Sequence, residues 1–185
     1  LPTSLILSLI LLALFFWQSS LTRNEQAVNL QNQILNLTYQ LEGAYFFSDD
    51  WLALMEHEHR LIIHIEENRI PLFFSGSWVP RTDRDVLIEL AKEQAQKQHI
   101  DTLARPYSST MQKSSIFTVQ GRNHDTYQGI VVILATEEGF RSLTLLSDIT
   151  ELKRQEPKRF LFFLGVDILG ILALFFFFFF VAAKA

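Results

Sequence analysis

The sequence predicts an α+β domain between two apolar segments. Long apolar runs occur near both ends of the chain, and the polar stretch between them contains helix-like and strand-like periodicities. We therefore expect transmembrane helices at residues 1–20 and 160–183, and one folded domain at residues 21–159. Five strands are predicted in the domain, most simply as one antiparallel sheet with helices on one or both faces.

The first apolar segment is predicted to cross a membrane. It carries no charge before Arg23, and Trp17 is placed like an interfacial anchor. Because the chain begins with Leu1 rather than methionine, we expect the segment to be the outer part of a longer span. A signal peptide is the alternative, although no small-residue cleavage motif precedes the domain.

An amphipathic helix is predicted from about Arg23 to Gly43. Its apolar residues recur at three- and four-residue steps, and a glycine at the end is a typical helix stop. The same spacing fits a short coiled-coil seam, so the stripe predicts either a homodimer contact or packing on the domain's own sheet. The stripe consists of Ala27, Leu30, Ile34, Leu37, Leu41 and Ala44.

A short helix and a β-hairpin follow. Ser48 with two aspartates after it is a typical helix start, and the helix is expected to end near His57. The β-branched run 60–66 and the return arm 70–74, joined by a polar turn, predict the hairpin. Pro71 indicates an edge position for the return arm, because proline cannot donate a ladder hydrogen bond.

One more helix and three strands complete the predicted domain. The helix runs from about Asp83 to Gln98, with Thr82 as its expected cap because Asp85 follows three residues on. Residues 101–113 are predicted to be loop. A polar turn joins the first two strands, and the three strands are expected at 115–120, 127–135 and 141–146.

A final helix is predicted to connect the last strand to the second apolar segment. Asp148 with Glu151 is a typical helix start, and Pro157 predicts either a kink or a new helix start. The connection is short, so we expect a displacement of the sheet to be transmitted to the membrane segment with little loss. Pro157 is therefore one of two residues that we assign to transmembrane signalling.

The second apolar segment, residues 160–183, is the better candidate for a transmembrane helix. At a rise of about 1.5 Å per residue it is long enough to cross a hydrocarbon core of about 30 Å. Its one ionisable residue, Asp167, is costly in lipid unless paired or hydrated, and we assign it to transmembrane signalling. Gly165 and Gly170 beside it suit a helix–helix contact, and a hydrated position near the headgroups is the alternative.

The orientation of the spans rests on charge. Four basic residues lie on the domain side of the second span and one lies beyond it: Lys153, Arg154, Lys158 and Arg159 against Lys184. A literal positive-inside rule would place the domain in the cytoplasm. The rule is weak for long translocated segments, and we expect both cytoplasmic flanks to lie beyond the chain, so we favour an extracytoplasmic domain.

Composition excludes several classes of function. The net charge is −4 at pH 7, which argues against a nucleic-acid partner. The chain has no cysteine, which excludes disulfides, thiolate metal sites and cysteine nucleophiles. The sequence contains no glycine-rich phosphate loop and no recognisable nucleophile motif, so we assign no catalytic residue and no cofactor.

Three residues are candidates for binding a ligand. Trp78, Arg81 and Tyr107 flank the helix between the two groups of strands, and aromatic groups with one cation suit a small anionic or zwitterionic solute. The alternative is that Trp78 packs in the core and Arg81 is a surface charge. His64 is expected to pack in the sheet.

The acidic and histidine-rich segment 56–64 is a candidate metal site. His57, Glu58 and His59 have ligating side chains, but residues two apart do not share one helix face. A solvated charged surface explains the segment as well, and we assign no metal to it.

Three local phrases accompany this order of elements: IPLFFSGSW at 70–78, GIVVIL at 129–134 and the ending VAAKA at 181–185. Together they make the whole chain resemble the amino-terminal part of bacterial two-component sensor histidine kinases. In that family the domain between the spans is commonly PAS-like, with a five-stranded antiparallel sheet that carries a ligand pocket. The chain lacks a phosphoacceptor histidine box and an ATP-binding glycine motif, so the kinase is expected beyond Ala185.

The resemblance implies a function for the chain. It implies a multi-pass protein of the cell membrane whose extracytoplasmic PAS-like domain senses a signal and acts through the second span on a histidine protein kinase. The expected partners are membrane lipid, a second copy in a homodimer, a small-molecule or peptide ligand and, through the kinase, a cytoplasmic response regulator. The alternatives are the input domain of a chemoreceptor or cyclase, and a bitopic membrane assembly factor without a small ligand.

Overall fold

Two units make up the chain in the computed structural model, which describes residues 2–43, 48–72, 76–106 and 110–184. One unit comprises the two chain ends, Leu1–Glu25 and Glu151–Ala185. The other unit, Gln26–Thr150, contains the β-sheet and most of the buried residues.

Helices and strands alternate along the chain much as the sequence predicts. The described elements are α1 (Pro2–Gly43), α2 (Asp49–His59), β1 (Leu61–Glu67), β2 (Ile70–Pro71), α3 (Arg84–Lys97), β3 (Met111–Lys113), β4 (Phe117–Gln120), β5 (Thr126–Thr136), β6 (Gly139–Asp148) and α4 (Thr150–Lys184). The loop prediction for residues 101–113 is wrong at its end, where β3 lies.

Six strands among the described residues form one antiparallel sheet in the order β2-β1-β6-β5-β3, with β4 also paired to β5. β3 pairs with one half of β5 and β4 with the other. Ser114 lies between β3 and β4: its N–H donates to the carbonyl of Val131, and its hydroxyl accepts from the Val131 N–H, both at 2.9 Å. β3 and β4 are therefore two segments of one interrupted edge, and the predicted α+β class with an antiparallel sheet is confirmed.

Helices cover both faces of the sheet. On one face, Leu30 and Ile34 of α1 and Leu52 of α2 are buried with the side chains that β1, β5 and β6 direct toward them. Because Leu30 and Ile34 are 2% and 0% exposed, these two members of the predicted stripe pack in the domain's own core. The side chains of Ala27, Leu37 and Leu41, and the whole of Ala44, lie outside the described residues.

The opposite face packs against α3. Its buried helix residues Leu87, Ile88, Ala91 and Ala95 follow the three- and four-residue spacing of one helix face. Their apolar partners on the strands are Ile62, Phe117, Val119, Tyr127, Val131, Ile133, Phe140 and Leu146. Alternation along β1 and β6 also directs polar residues to this face, and those residues form part of the candidate site.

The hairpin of β1 and β2 is shorter than predicted. Asn68 and Arg69 both have positive φ, at 49° and 72°, as a two-residue type I′ turn requires. Ladder pairing covers Glu66 with Pro71 and Glu67 with Ile70, and the N–H of Leu72 donates to Ile65 at 2.8 Å. Phe73 and Phe74, the end of the predicted return arm, lie outside the described residues.

Helix starts differ from the sequence prediction in their capping. Ser48 precedes α2, but its side chain makes no capping hydrogen bond. Asp83, rather than Thr82, caps α3, because its carboxylate accepts from the N–H of Asp85 at 3.0 Å. Thr82 is instead 2% exposed and bonded to Asp125.

The two long helices contain the predicted spans. α1 is 42 residues and α4 is 35 residues long. Pro157 lies inside α4, so of the two alternatives for this residue, a kink or a new helix start, the new start is wrong. No helix in the described part of the chain combines the length and the apolar character needed to cross a membrane.

Candidate functional site

A group of charged side chains lies on the sheet face that α3 covers. Glu66 of β1 is 6% exposed, and its Oε1 lies 2.7 Å from His64 Nε2 and 2.8 Å from Lys92 Nζ. The hydrogen bond with His64 and the ion pair with Lys92 outweigh burial and lower the pKa of Glu66 to about 2. Lys92 belongs to α3, so this contact ties the helix to the sheet.

β6 adds two buried hydroxyls to the same face. Ser142 is the ladder partner of Glu66, and Thr144 is the ladder partner of His64. Each is 1% exposed, and neither hydroxyl has a hydrogen-bond partner in the described part of the chain. An unpaired buried hydroxyl costs about 1–3 kcal/mol. We name His64, Glu66, Lys92, Ser142 and Thr144 the α3-face cluster, which has polar groups available to a water molecule or a polar ligand atom.

The stability contributed by Glu66 is expected to depend on pH. Its pKa is about 2 in the folded chain against 4.5 ordinarily, so its contribution is complete above pH 4.5 and declines as the pH falls toward 2. We expect Glu66→Gln to cost about 1–3 kcal/mol at neutral pH. Urea unfolding of the full chain in detergent micelles over a pH series gives the difference from the parent.

The matched control for this variant is Glu138→Gln, on the exposed turn between β5 and β6. Its difference from the parent should stay small at every pH. A Glu66→Gln difference that does not shrink between pH 4.5 and 2 would show that the carboxylate is not held ionised by His64 and Lys92.

A second charged contact covers the part of β1 that does not pair with β2. Glu56 of α2 is fully buried, and its Oε1 accepts from the N–H of Ile63 at 2.9 Å and from Arg84 Nη2 at 2.7 Å. Arg84 Nη2 also donates to the carbonyl of Ile63 at 2.5 Å. Side chains of α2 and α3 therefore satisfy a backbone N–H and carbonyl of β1, which would otherwise form an open sheet edge.

A third network surrounds the buried carboxylate of Asp125. Its Oδ1 accepts from the Thr82 hydroxyl at 2.6 Å, and its Oδ2 accepts from the Thr82 N–H at 2.9 Å and the Tyr127 hydroxyl at 2.6 Å. A Cβ at Gly121 would lie 2.1 Å from Asp125 Oδ1, so a glycine is needed at this close approach. The network connects the loop before α3 to the turn between β4 and β5.

Burial and hydrogen bonding act in opposite directions on the Asp125 carboxyl. Burial alone would raise its pKa, but the hydrogen bonds from Thr82 and Tyr127 outweigh burial, and the pKa is lowered. Burial and the hydrogen bond to Asp125 raise the pKa of Tyr127. Asp125 is therefore the charged acceptor of this network, and Tyr127 is its neutral donor.

The start of α4 is bonded to the sheet. The Thr150 hydroxyl lies 2.5 Å from Asp148 Oδ1, and it accepts from the N–H of Thr126 at 3.0 Å. The N–H of Ile149 donates to the carbonyl of Thr126 at 2.9 Å. Asp148 also accepts from the Thr150 N–H, so it precedes the helix start as predicted. The end of β6, the start of β5 and the start of α4 thus share one set of hydrogen bonds.

The predicted ligand-binding residues have different environments. The Trp78 ring is half-buried, packs against the α3 side of the core and lies 6.4 Å from the Tyr127 ring, centroid to centroid. Arg81 is exposed, and its backbone carbonyl accepts from Asn123 Nδ2 at 2.5 Å. Tyr107 lies outside the described residues.

The remaining predicted sites are also located. Pro157 is exposed within α4, and Asp167 belongs to the same helix, with its side chain outside the described part of the structure. His57 Nδ1 lies 3.3 Å from the carbonyl of Ser77. Among the described side chains no group of three or more histidine, aspartate or glutamate residues is arranged to hold a metal ion.

Sequence reasoning did not identify the buried polar residues. Glu56 was predicted as part of a solvated acidic surface, and it is fully buried. His64 was expected to pack in the sheet, and its side chain is only 12% exposed, but its contact with the Glu66 carboxylate was not predicted. One signal was available: His64 and Glu66 occur two residues apart in an apolar strand, so both face the same side. The Glu56 and Asp125 contacts have no comparable local signal.

Comparison with protein-family models, with curated proteins and with solved structures finds no match to this chain.

Proposed function

We propose that this chain is the signal-sensing input module of a membrane-bound signalling protein. Its domain at residues 21–159 is PAS-like and lies outside the cytoplasm, and its output region lies beyond Ala185. A sensor histidine kinase is the favoured output, because the order of elements and the phrases at 70–78, 129–134 and 181–185 resemble that family. The antiparallel sheet with helices on both faces is compatible with this assignment.

The observation that supports transmission most directly is the junction between β6 and α4. β6 is paired on both sides, with β1 and β5, and only Ile149 separates it from α4. Thr150 is 6% exposed, and its hydroxyl binds groups of both β5 and β6. A displacement of these strands therefore changes the hydrogen bonds that hold the first residue of the helix.

Membrane insertion of the later part of α4 is supported by the amino-acid sequence and by exposed apolar side chains. Residues 160–183 contain one ionisable residue. Seven of the described large apolar side chains along this part of the helix are more than three-fifths exposed, and so large an apolar surface is costly in water. Lipid would cover these side chains, which include Leu161, Phe162, Leu169, Phe175, Phe176, Phe179 and Phe180.

The stimulus is proposed to act on α3 and on the loop before it. Arg81 is exposed beside Thr82, and Thr82 binds Asp125 in the turn that leads into β5. A ligand at Trp78 and Arg81 would thus act through Asp125, the residue directly before β5. On the other side of α3, the α3-face cluster reaches β6 through Ser142 and Thr144. Both routes end on the strands that bind Thr150.

A chimera tests this proposal. The full chain is joined at Ala185 to the cytoplasmic part of a sensor histidine kinase, and autophosphorylation is measured in membrane vesicles. Thr150→Val keeps the shape of the side chain but removes the hydrogen bonds of the hydroxyl. We expect it to change kinase activity at least about fivefold, the effect of about 1 kcal/mol of coupling. Thr118→Val, at an exposed position of β4, should leave the activity unchanged.

Orientation is checked in the same chimera with a single cysteine, because the chain has none of its own. Glu138→Cys on the exposed β5–β6 turn should react with a membrane-impermeant maleimide in intact cells. Equal kinase activity of the parent and Thr150→Val would argue for an assembly factor rather than an input module. A chemoreceptor or cyclase input would retain the junction effect, and the native sequence beyond Ala185 distinguishes those outputs.

A further inference from the structure

A group of exposed basic residues lies directly before the most apolar part of α4. Lys153, Arg154, Lys158 and Arg159 are all exposed, and Phe160 follows at once. Arg154 Nη1 lies 3.5 Å from Glu151 Oε1, an exposed pair that contributes little. The other three cations form no ion pair with any residue in the described ranges. We name these four residues the basic collar.

The arrangement around the helix indicates what kind of partner fits. At about 100° per residue, the four positions are spread over about 240° of the helix circumference. A partner that docks on one side of a helix would meet only part of such a set. Molecules that surround the helix would meet all of it, and the lipids around a membrane-embedded helix are arranged in this way.

The height of the basic collar also fits a lipid headgroup layer. Lys153 and Arg159 are six residues apart, which is about 9 Å along a helix axis. The headgroup and interfacial region of a bilayer is about 5–8 Å thick on each side. Exposed apolar side chains begin immediately below the collar, with Phe160, Leu161 and Phe162 at 40%, 64% and 68% exposure.

We propose that the basic collar binds the headgroups of anionic phospholipids around α4. The inference rests on the proposed membrane insertion of this helix and adds the class of lipid that it selects. Each lysine or arginine near an anionic membrane surface contributes favourably, and long side chains can keep their charges at headgroup level. Glu156 lies within the same segment and reduces the net charge of residues 153–159 to +3. The proposal also explains why basic residues lie on the domain side of the span. They are placed there to bind anionic headgroups, and they do not indicate which side of the membrane is the cytoplasm.

Lipid selection by the full chain tests the proposal. The chain is reconstituted in vesicles of equal phosphatidylcholine and phosphatidylglycerol and extracted with its surrounding lipids in polymer nanodiscs. Mass spectrometry then gives the ratio of the two lipids. We expect phosphatidylglycerol to be enriched at least twofold over the vesicle, and the enrichment to fall as salt is added, because exposed charges are screened.

Two variants that each remove four positive charges distinguish the effect of the collar on lipid enrichment from the effect of the chain's net charge. The collar variant carries Lys153→Gln, Arg154→Gln, Lys158→Gln and Arg159→Gln, and should show no enrichment. The domain variant carries Lys97→Gln, Arg105→Gln, Lys113→Gln and Arg122→Gln, all exposed positions, and should keep the enrichment of the parent. If the collar variant does not fold, the double variant Lys158→Gln/Arg159→Gln should show about half the enrichment of the parent.

The outcomes distinguish this inference from the proposed function. Equal lipid ratios for the parent and the collar variant, with both chains recovered in the membrane, would overturn the proposed lipid binding by the collar. The proposed membrane insertion of α4 would stand. A chain that is washed out of the vesicles by alkaline carbonate would overturn membrane insertion and the collar with it. Enrichment that is lost in both charge variants would also overturn the collar, because net charge alone would explain it.

Discussion

Replacing Glu56 with alanine is expected to lower the free energy of unfolding by about 3–5 kcal/mol, because removing one partner of a buried ion pair leaves an uncompensated charge. Glu56 is fully buried, and its Oε1 binds both Arg84 and the N–H of Ile63. The variant therefore leaves the Arg84 guanidinium without its carboxylate partner and the N–H of Ile63 without an acceptor. Urea unfolding of the full chain in detergent micelles, followed by tryptophan fluorescence, measures the loss.

A matched control and a double variant identify the source of this effect. Glu58→Ala removes an exposed carboxylate from the same helix and should change stability by no more than about 0.5 kcal/mol. Glu56→Ala/Arg84→Ala removes both charges, so it should be less destabilised than the sum of the single variants. A Glu56→Ala variant within 1 kcal/mol of the parent would show that the pair does not close the β1 edge in solution.

The contact of Glu56 with Arg84 shows where sequence reasoning ends. Periodicity predicts β1 and β6 because a buried strand repeats its apolar side chains within a few residues. The burial of Glu56 depends on Arg84, 28 residues further along the chain, and on a free strand edge that exists only in the assembled sheet. No local pattern contains that information, so a carboxylate in an acidic segment was expected to be solvated.

Capping of α3 failed to follow the sequence prediction for a similar reason. Thr82 has the residue type and the spacing of a helix cap. Its hydroxyl binds Asp125, 43 residues away, and Asp83 caps the helix instead. β3 was missed because Met111–Lys113 is too short to show an alternation. Periodicity detects neither a distant residue that binds the hydroxyl of a cap candidate nor a strand of only three residues.

The α1 stripe illustrates a different limit. Spacing alone predicted that one face of the helix is buried, and Leu30 and Ile34 confirm this for the members that the structure describes. Spacing could not decide between a partner chain and the domain's own sheet, because both bury the same positions. The contacts with β1, β5 and β6 assign these two residues to the intramolecular core. The homodimer prediction is therefore not supported by Leu30 or Ile34.

Asp125→Ala is expected to cost about 3 kcal/mol, the other large loss in stability. The carboxylate is 1% exposed and accepts three hydrogen bonds, two from Thr82 and one from Tyr127. Hydrogen bonds to a charged acceptor contribute more than neutral ones, and their loss leaves the Tyr127 hydroxyl buried without its acceptor. Because the Asp125 pKa is lowered in the folded chain, its contribution is present above the usual carboxyl pKa and declines in acid below it.

Three variants of this network are compared by urea unfolding of the full chain in detergent micelles. Tyr127→Phe removes one of the hydrogen bonds to Asp125 and keeps the ring beside Trp78, so we expect a loss of about 1–1.5 kcal/mol. Asp101→Ala removes an exposed aspartate from the loop after α3 and should cost less than 1 kcal/mol. Asp125→Ala should cost at least twice as much as Tyr127→Phe, because Thr82 loses its acceptor as well. If the two cost the same, the bonds from Thr82 contribute nothing, and Asp125 does not hold the loop before α3 against the turn into β5.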